Sequence, residues 1–249
     1  MSSLETTKHA IRRGNTARGV NREMISYLQA AFAGNAGFTA LDIPCGNGEF
    51  LDALQGYFPE ARVEGWDLQQ PSEAFAHRFV RFDATQAEMF PATGPFNLVT
   101  CISGIMEFDN TATFLANLRR ILKPEGTLIV TNDNILSVRD RLLYLFLGRY
   151  RQFPFLTAPG APTWKIIPVQ NLIRVLRDSG FEISELRYVS PKASEWLWAP
   201  LAAVVYAAQR VFSFQRPPDD MARSVFRFCS LVARHYFLVC RPRSNAEPS

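Results

Sequence analysis

Short apolar segments alternate with segments of helical periodicity between residues 38 and 133, and this alternation restricts the fold more than any other feature of the chain. The apolar segments predict five strands: Phe38–Ile43, Arg62–Leu68, His77–Phe82, Phe96–Ile102 and Thr127–Thr131. Apolar residues at helical spacing predict helices over Asn21–Phe32 and Thr111–Leu122. Strands that alternate with helices are typical of a parallel sheet covered on both faces, so we predict a doubly wound α/β fold.

A glycine turn joins the first strand to the following helix. The segment reads Leu41-Asp42-Ile43-Pro44-Cys45-Gly46-Asn47-Gly48-Glu49-Phe50. Glycine lets the backbone turn sharply and approach a ligand without a Cβ clash. The helix N-terminus adds free N–H groups and the positive end of a dipole. Turns of this kind also close loops that bind nothing, so the turn alone leaves both interpretations open.

Acidic residues follow the first three predicted strands. Asp67 lies 19 residues after Gly48, close to the offset at which an acid accepts from ribose hydroxyls, and Asp83 follows the third strand. Because the carboxyl ends of parallel strands open on one crevice, Asp42, Asp67 and Asp83 are predicted to line one ligand. Position 51 is Leu rather than a third glycine, and no G-x-x-x-x-G-K-[ST] is present. A nucleoside without a pyrophosphate therefore fits better than a dinucleotide or a triphosphate.

These residues resemble the class I S-adenosylmethionine-dependent methyltransferases. Residues 42–48 resemble the first motif of that family, with Pro44 in place of its first glycine. Residues 96–101 resemble its fourth motif, with Asn97 where Asp is usual, and residues 118–130 resemble its closing helix-loop-strand segment. The resemblance implies a Rossmann-like, seven-stranded mixed sheet of order 3-2-1-4-5-7-6 with an antiparallel last strand. It implies that S-adenosylmethionine binds Asp67 through its ribose and Asp83 and Ala84 through its adenine. The full set of predicted cofactor-binding residues is Asp42, Pro44, Cys45, Gly46, Asn47, Gly48, Asp67, Leu68, Asp83, Ala84, Cys101 and Ser103.

The segment after the fourth strand lacks a histidine that related enzymes often carry there in Leu-Glu-His. It reads Ile105-Met106-Glu107-Phe108-Asp109. A hydroxyl acceptor must lose its proton, and Glu107 and Asp133 are the carboxylates best placed near strand ends, so we predict them as catalytic residues. Either could instead contact the cofactor or belong to a loop. The four cysteines lie far apart without a C-x-x-C pair, so we predict free thiols and no metal site.

We predict one methyltransferase domain over residues 1–249, beginning with a flexible arm at 1–20. Later strands are predicted at Phe181–Ser190 and His235–Cys240. Members of the family place acceptor-binding elements after the fifth strand and between the sixth and seventh. Here these are helical insertions at 134–168 and 191–234. Four residues of the first insertion are predicted to bind the acceptor: Arg139, Tyr144, Tyr150 and Trp164.

Charge divides unevenly between the two parts of the chain. Residues 1–133 carry 11 Lys/Arg and 15 Asp/Glu, whereas residues 134–249 carry 16 and 8. This asymmetry predicts an anionic acceptor, although it could also be background composition. The first insertion loosely resembles methyltransferases of bacterial cell-envelope polysaccharide clusters, which implies O-methylation of an anionic saccharide or lipid-linked glycan. The alternatives are a small-molecule O-methyltransferase of secondary or quinone metabolism, and a non-catalytic protein that keeps the fold.

Residues 221–232 have the pattern of an amphipathic helix with arginines on its outer face. This pattern and the aromatic residues near Trp196 predict peripheral membrane contact through 196–234; a cap on the core or a dimer face fits equally. The apolar run Trp196–Ala208 is too short to span a bilayer, and residues 1–19 lack an apolar signal core. We therefore expect a cytoplasmic protein, with attachment to the inner membrane as an option. No nucleic-acid-binding motif occurs, so no nucleic-acid partner is expected, and the sequence leaves the oligomeric state open.

Overall fold

The computed structural model describes residues 11–34, 37–84, 86, 90–91, 94–151, 165–212 and 220–243. Strands of this part of the chain form one seven-stranded sheet: β1 Thr39–Asp42, β2 Arg62–Asp67, β3 Arg78–Arg81, β4 Phe96–Cys101, β5 Leu122–Asp133, β6 Phe181–Tyr188 and β7 His235–Pro242. The strand order is β3-β2-β1-β4-β5-β7-β6. Neighbours among β1 to β5 pair in parallel, whereas β7 runs antiparallel to both β5 and β6. The predicted order and the antiparallel last strand are confirmed.

Helices lie on both faces of this sheet, as predicted. They are α1 Val20–Ala31, α2 Glu49–Tyr57, α3 Thr111–Ile121, α4 Val138–Leu147, α5 Val169–Asp178, α6 Ala193–Trp196, α7 Ala199–Phe212, α8 Asp220–Val225 and α9 Phe228–Val232. Local sequence determines several of their ends. Asn110 caps α3 by accepting from the backbone N–H of Thr113, and Ser137 caps α4 by accepting from that of Asp140. Gly148 ends α4 in the left-handed conformation that glycine adopts without strain.

The core divides into two layers because successive residues of a strand point to opposite faces. In β5, Leu128 and Val130 join the layer covered by α3 and α5, whereas Ile129 joins the layer covered by α1 and α2. A third, smaller apolar cluster joins α4, α7 and α9 around Val138 and Ala202. The insertions therefore have a small core of their own beside the sheet.

The structure corrects the predicted start of the fifth strand. The sequence predicted a strand that starts at Thr127, but β5 begins at Leu122, which pairs with Phe96 of β4. The register then shifts between Phe96 and Leu98, so the extra residues are accommodated as an irregularity within the pairing. Gly126 fits this close passage because a Cβ there would lie 2.9 Å from the Lys123 carbonyl oxygen.

The amphipathic helix expected over 221–232 is also wrong, because the chain breaks between α8 and α9. The hydroxyl of Tyr188 donates to the carbonyl of Val225 at 2.8 Å, and a continuous helix would use that carbonyl for Cys229. Arg227 is extended and its carbonyl accepts from the backbone N–H and hydroxyl of Ser230. The predicted pattern therefore belongs to two short helices.

The part of the predicted flexible arm that the structure describes packs against the sheet edge. Thr16 and Ala17 are buried, and the amide nitrogen of Asn21 donates to the carbonyls of Arg12 and Arg13. These contacts connect residues 11–19 to α1, so this stretch lies across the carboxyl ends of the central strands.

Candidate active site

Asp42 lies at the carboxyl end of β1 and is almost completely buried. Its Oδ1 accepts from the hydroxyl of Thr100 on β4 at 2.6 Å. Burial raises the pKa of Asp42 to about 8, with the charges of Asp67 and Glu49 adding to the rise and the Thr100 hydrogen bond opposing it. A carboxyl in this position is largely protonated at neutral pH.

Two backbone amides hold the carboxylate of Asp67 at the end of β2. Its Oδ2 accepts from Gly46 at 2.9 Å and its Oδ1 from Gln69 at 3.0 Å. Gly46 and Gly48 both have positive φ, at 54° and 82°. A Cβ on Gly48 would lie 2.7 Å from the ring of Phe75, so glycine is needed there for close packing as well as for the turn. The turn thus orients the carboxylate that the sequence assigns to the ribose.

The other predicted donor-binding residues differ in their burial and in their hydrogen-bond partners. Pro44, Cys45 and Gly46 line the same small cavity as Asp42. Leu68 is half exposed, Ala84 is buried, Asp83 accepts from the side chain of Gln86, and Asn47 accepts from the backbone of Ser72. The thiol of Cys45 packs towards Gly65, and the side chain of Cys101 is enclosed in the core. Burial raises the pKa of both thiols, so neither sulfur is a charged contact for a ligand.

Ser103 follows β4 in a conformation that is unusual for a residue with a side chain. Its φ is 56°, its backbone N–H donates to the hydroxyl of Thr131, and its own hydroxyl lies 2.7 Å from that of Thr16. The arm therefore touches the donor edge directly at Ser103. Positive φ in non-glycine residues is often found at ligand sites, where the surroundings maintain the strain.

A cavity of about 40 Å³ remains between the arm and the glycine turn. Its walls include Arg13, Asn15 and Thr16 of the arm and Asp42 and Gly46 of the sheet edge. The donor set fits S-adenosylmethionine, because carboxylates for the ribose, glycines for close approach and the N-terminus of α2 converge on one edge. With the arm in this position the cavity holds only a few waters.

The two predicted catalytic carboxylates have different surroundings. Glu107 is exposed in the turn after β4. Asp133, at the end of β5, is mostly enclosed, and its Oδ1 lies 3.0 Å from Nε2 of His235. His235 is the first residue of β7 and pairs with Asp133 in the antiparallel register. Burial, together with Arg234, Arg151 and Lys192, lowers the pKa of His235 to about 3, so its imidazole is neutral at physiological pH.

The predicted acceptor residues are only partly brought together. Tyr144 and Tyr150 stack with ring centroids 4.9 Å apart, and Arg139 lies in the first turn of α4. Tyr144 is exposed on the outside of α4. Trp164 lies outside the described residues.

A buried ion-pair network joins the two insertions. Arg151 lies 2.9 Å from Asp140, at the start of α4, and 3.6 Å from Glu195 in α6, and all three side chains are at most one-tenth exposed. Asp140 also accepts from the backbone of Arg151 and from Ser137. This network links the two insertions that the sequence assigns to the acceptor.

Sequence reasoning missed His235 and the arm. The predicted strands already contained the signal for His235, because antiparallel pairing of the fifth and last strands brings the end of one to the start of the other. The arm offered no such signal, since contacts such as Thr16 with Ser103 join residues 87 positions apart.

Comparisons with known proteins agree with this geometry. A family model described as a methyltransferase domain matches residues 16–186. Two curated relatives are named ubiquinone biosynthesis O-methyltransferase. The protein from Aromatoleum aromaticum is 30% identical over 62% of this chain and 68% of its own length, and that from Thiobacillus denitrificans 28% identical over 61% and 67%.

Among solved structures, the fold resembles the 1,6-didemethyltoxoflavin-N1-methyltransferase of Burkholderia thailandensis, crystallised with S-adenosylhomocysteine. The TM-score is 0.53 at 14% identity, covering 90% of this chain and 78% of the other. At that identity the likeness concerns the fold alone. With the family match spanning most of the chain and the donor set at the sheet edge, the protein belongs to the methyltransferase-domain family and uses S-adenosylmethionine as its methyl donor.

Proposed function

We propose that the protein methylates a hydroxyl group on a small aromatic ring of the quinone-precursor class. The observation that carries the proposal is the shared name of the two curated relatives, ubiquinone biosynthesis O-methyltransferase, at 28% and 30% identity. Neither relative is named for a saccharide, so the anionic saccharide predicted from the sequence lacks support, and the quinone alternative is the better interpretation.

Asp133 is the predicted catalytic carboxylate suited to receive the proton of such a hydroxyl, and the neutral imidazole of His235 beside it is suited to hold it in position. The bound cofactor supplies an activated methyl group, and the acceptor oxygen becomes a better nucleophile as its proton leaves. The carboxylate of Asp133 beside Nε2 favours a proton on that nitrogen, so the imidazole can donate towards Asp133 and orient it.

A basic cleft beside this pair is suited to an anionic group on the ring. The cleft, of about 980 Å³, lies between the arm, the start of α1 and the segment after β6. Its charged residues are Arg12, Arg13, Arg18, Arg22, Lys192 and Glu23. Arg18 and Lys192 also line the small cavity that His235 touches. The sequence predicted the basic surface in residues 134–249, but most of these cations belong to the arm and α1.

The decisive experiment is methyl transfer from labelled donor to a panel of acceptors. The panel contains catechols and dihydroxybenzoates with and without an isoprenoid chain, and an anionic saccharide as the competing class. We expect methylation of the ring hydroxyls. Methyl transfer to the saccharide alone would refute the proposal.

Two variants then test the roles of the residues. Asp133→Asn should lower kcat roughly a hundredfold or more, as loss of a general base does, with the donor Kd unchanged. Lys192→Gln should raise KM for carboxylate-bearing rings and leave KM for neutral rings unchanged. The matched control is Glu182→Gln. Glu182 is exposed and is the second residue of β6, at the other end of that strand from Lys192.

A further inference from the structure

The insertions expose an unusual amount of large apolar side chain. They lie in α4, at the end of α6 and just after it, and in α7. These residues are Tyr144, Leu145, Phe146, Leu147, Trp196, Leu197, Leu201, Val204 and Val211. Phe146 is 74% exposed, Leu197 79% and Val204 66%. We call this set the outer apolar surface. Soluble proteins seldom leave so many large apolar residues uncovered in neighbouring elements unless the surface has a partner.

Helix α7 shows the feature in its simplest form, because it is apolar on two sides. Its inner side, with Ala202 and Val205, packs in the third cluster against Val138 and Leu142 of α4. Its outer side carries Leu201, Val204 and Val211, whose spacing places them along one stripe. The inner side accounts for the attachment of α7 to the protein, and the outer side requires a second explanation.

The partly exposed charges of these elements have one sign. Residues 138–150 contain the partly exposed Arg139, Arg141 and Arg149, and residues 193–212 contain the exposed Arg210. The two acidic residues of these stretches, Asp140 and Glu195, are buried against Arg151. Trp196 and Tyr144, aromatic residues with a polar group, belong to the set. An apolar stripe with aromatic residues beside it and only cations exposed nearby is the composition of elements that lie in the interface of an anionic bilayer.

We infer that the outer apolar surface rests on the surface of an anionic lipid bilayer. None of the helices in the described ranges is long and apolar enough to cross a membrane, so the contact would be peripheral. A second copy of the chain is a poorer occupant, because a symmetric contact would bring Arg149 and Arg210 of one copy against the same cations of the other. The sequence predicted membrane contact through 196–234; α7 lies within that range, the end of α4 is added to it, and residues 221–234 are left out.

Vesicle flotation of the full chain tests the inference. We expect binding to phosphatidylglycerol vesicles and little binding to phosphatidylcholine vesicles at the same lipid concentration. Phe146→Asp and Val204→Asp should each weaken binding roughly tenfold or more. Each removes apolar area that the bilayer would bury and adds a negative charge that anionic lipid repels. Both positions are exposed, so thermal melting should show that the variants remain folded.

Ile166→Asp is the matched control, since Ile166 is an exposed apolar residue outside both helices. Unchanged flotation of that variant, with loss in the other two, supports the inference. Failure of the parent chain to float with anionic vesicles, or equal loss in all three variants, overturns it. A concentration-dependent dimer in sedimentation that Val204→Asp abolishes would also overturn it in favour of self-association. None of these outcomes depends on the chemistry of the acceptor, so they leave the proposed function to its own test.

Discussion

The donor side of the sheet edge and the side that we propose for the acceptor are held together by different kinds of contact. On the donor side, at the ends of β1 and β2, Asp67 is oriented by the backbone amides of Gly46 and Gln69. On the acceptor side, over β5 and β7, charged side chains hold one another: Arg151 pairs with Asp140 and with Glu195, 44 positions away in the sequence. The donor side therefore depends on backbone amides that neighbouring strand ends bring to one carboxylate, and the acceptor side depends on buried ion pairs between the two insertions.

Breaking the acceptor-side network should have the largest effect. Arg151→Met leaves the carboxylates of Asp140 and Glu195 buried without their cation, and we expect it to lower the free energy of unfolding by about 3–5 kcal/mol in urea denaturation. Arg174→Met is the control, because its pair with Asp178 is exposed and should contribute at most about 1 kcal/mol. Equal effects of the two substitutions would show that the apolar cluster alone holds the insertions.

The donor side should respond in binding rather than in folding. Asp67→Ala removes the carboxylate assigned to the ribose hydroxyls, and we expect affinity for S-adenosylhomocysteine to fall roughly tenfold to a hundredfold by calorimetry. Glu125→Ala removes an exposed carboxylate near the start of β5 and should leave affinity unchanged. Undiminished binding by Asp67→Ala would place the ribose elsewhere.

The same division explains how much could be predicted from the sequence. The periodicity and the strand ends placed Asp42, Asp67 and Asp83 on one edge, because in a parallel sheet each strand end follows from its own residues. The break between α8 and α9 could not be predicted, since it depends on the hydroxyl of Tyr188 taking the Val225 carbonyl. The contact of Thr16 with Ser103 is likewise invisible to local patterns.

The buried carboxyl of Asp42 should give the donor side a pH dependence. Its pKa in the folded protein, about 8, lies above the ordinary value, so the folded state holds the proton more tightly than the unfolded chain does. Its contribution to stability is complete below about pH 4 and is lost as pH rises through 8. Asp42→Asn, which stays neutral, should therefore melt several degrees above the parent at pH 9, and the difference should shrink towards pH 4. A difference that stays constant with pH would mean that Asp42 titrates as an exposed carboxyl does.

Ser103 connects the two sides through the arm and should give the smallest effect. Ser103→Ala keeps the positive φ and removes the hydroxyl that contacts Thr16. The difference in free energy of unfolding between this variant and the parent therefore measures the arm contact. Ser103→Gly removes the same hydroxyl and also the backbone strain. The difference in free energy of unfolding between Ser103→Gly and Ser103→Ala therefore measures that strain, which we expect to be about 1 kcal/mol. Hydrogen exchange of residues 11–19 should quicken equally in both variants, because both lose the hydroxyl. Unchanged exchange in the variants would mean that the arm is held by Asn21 and its buried residues alone. In that case the two sides of the edge are coupled through α1 rather than through Ser103.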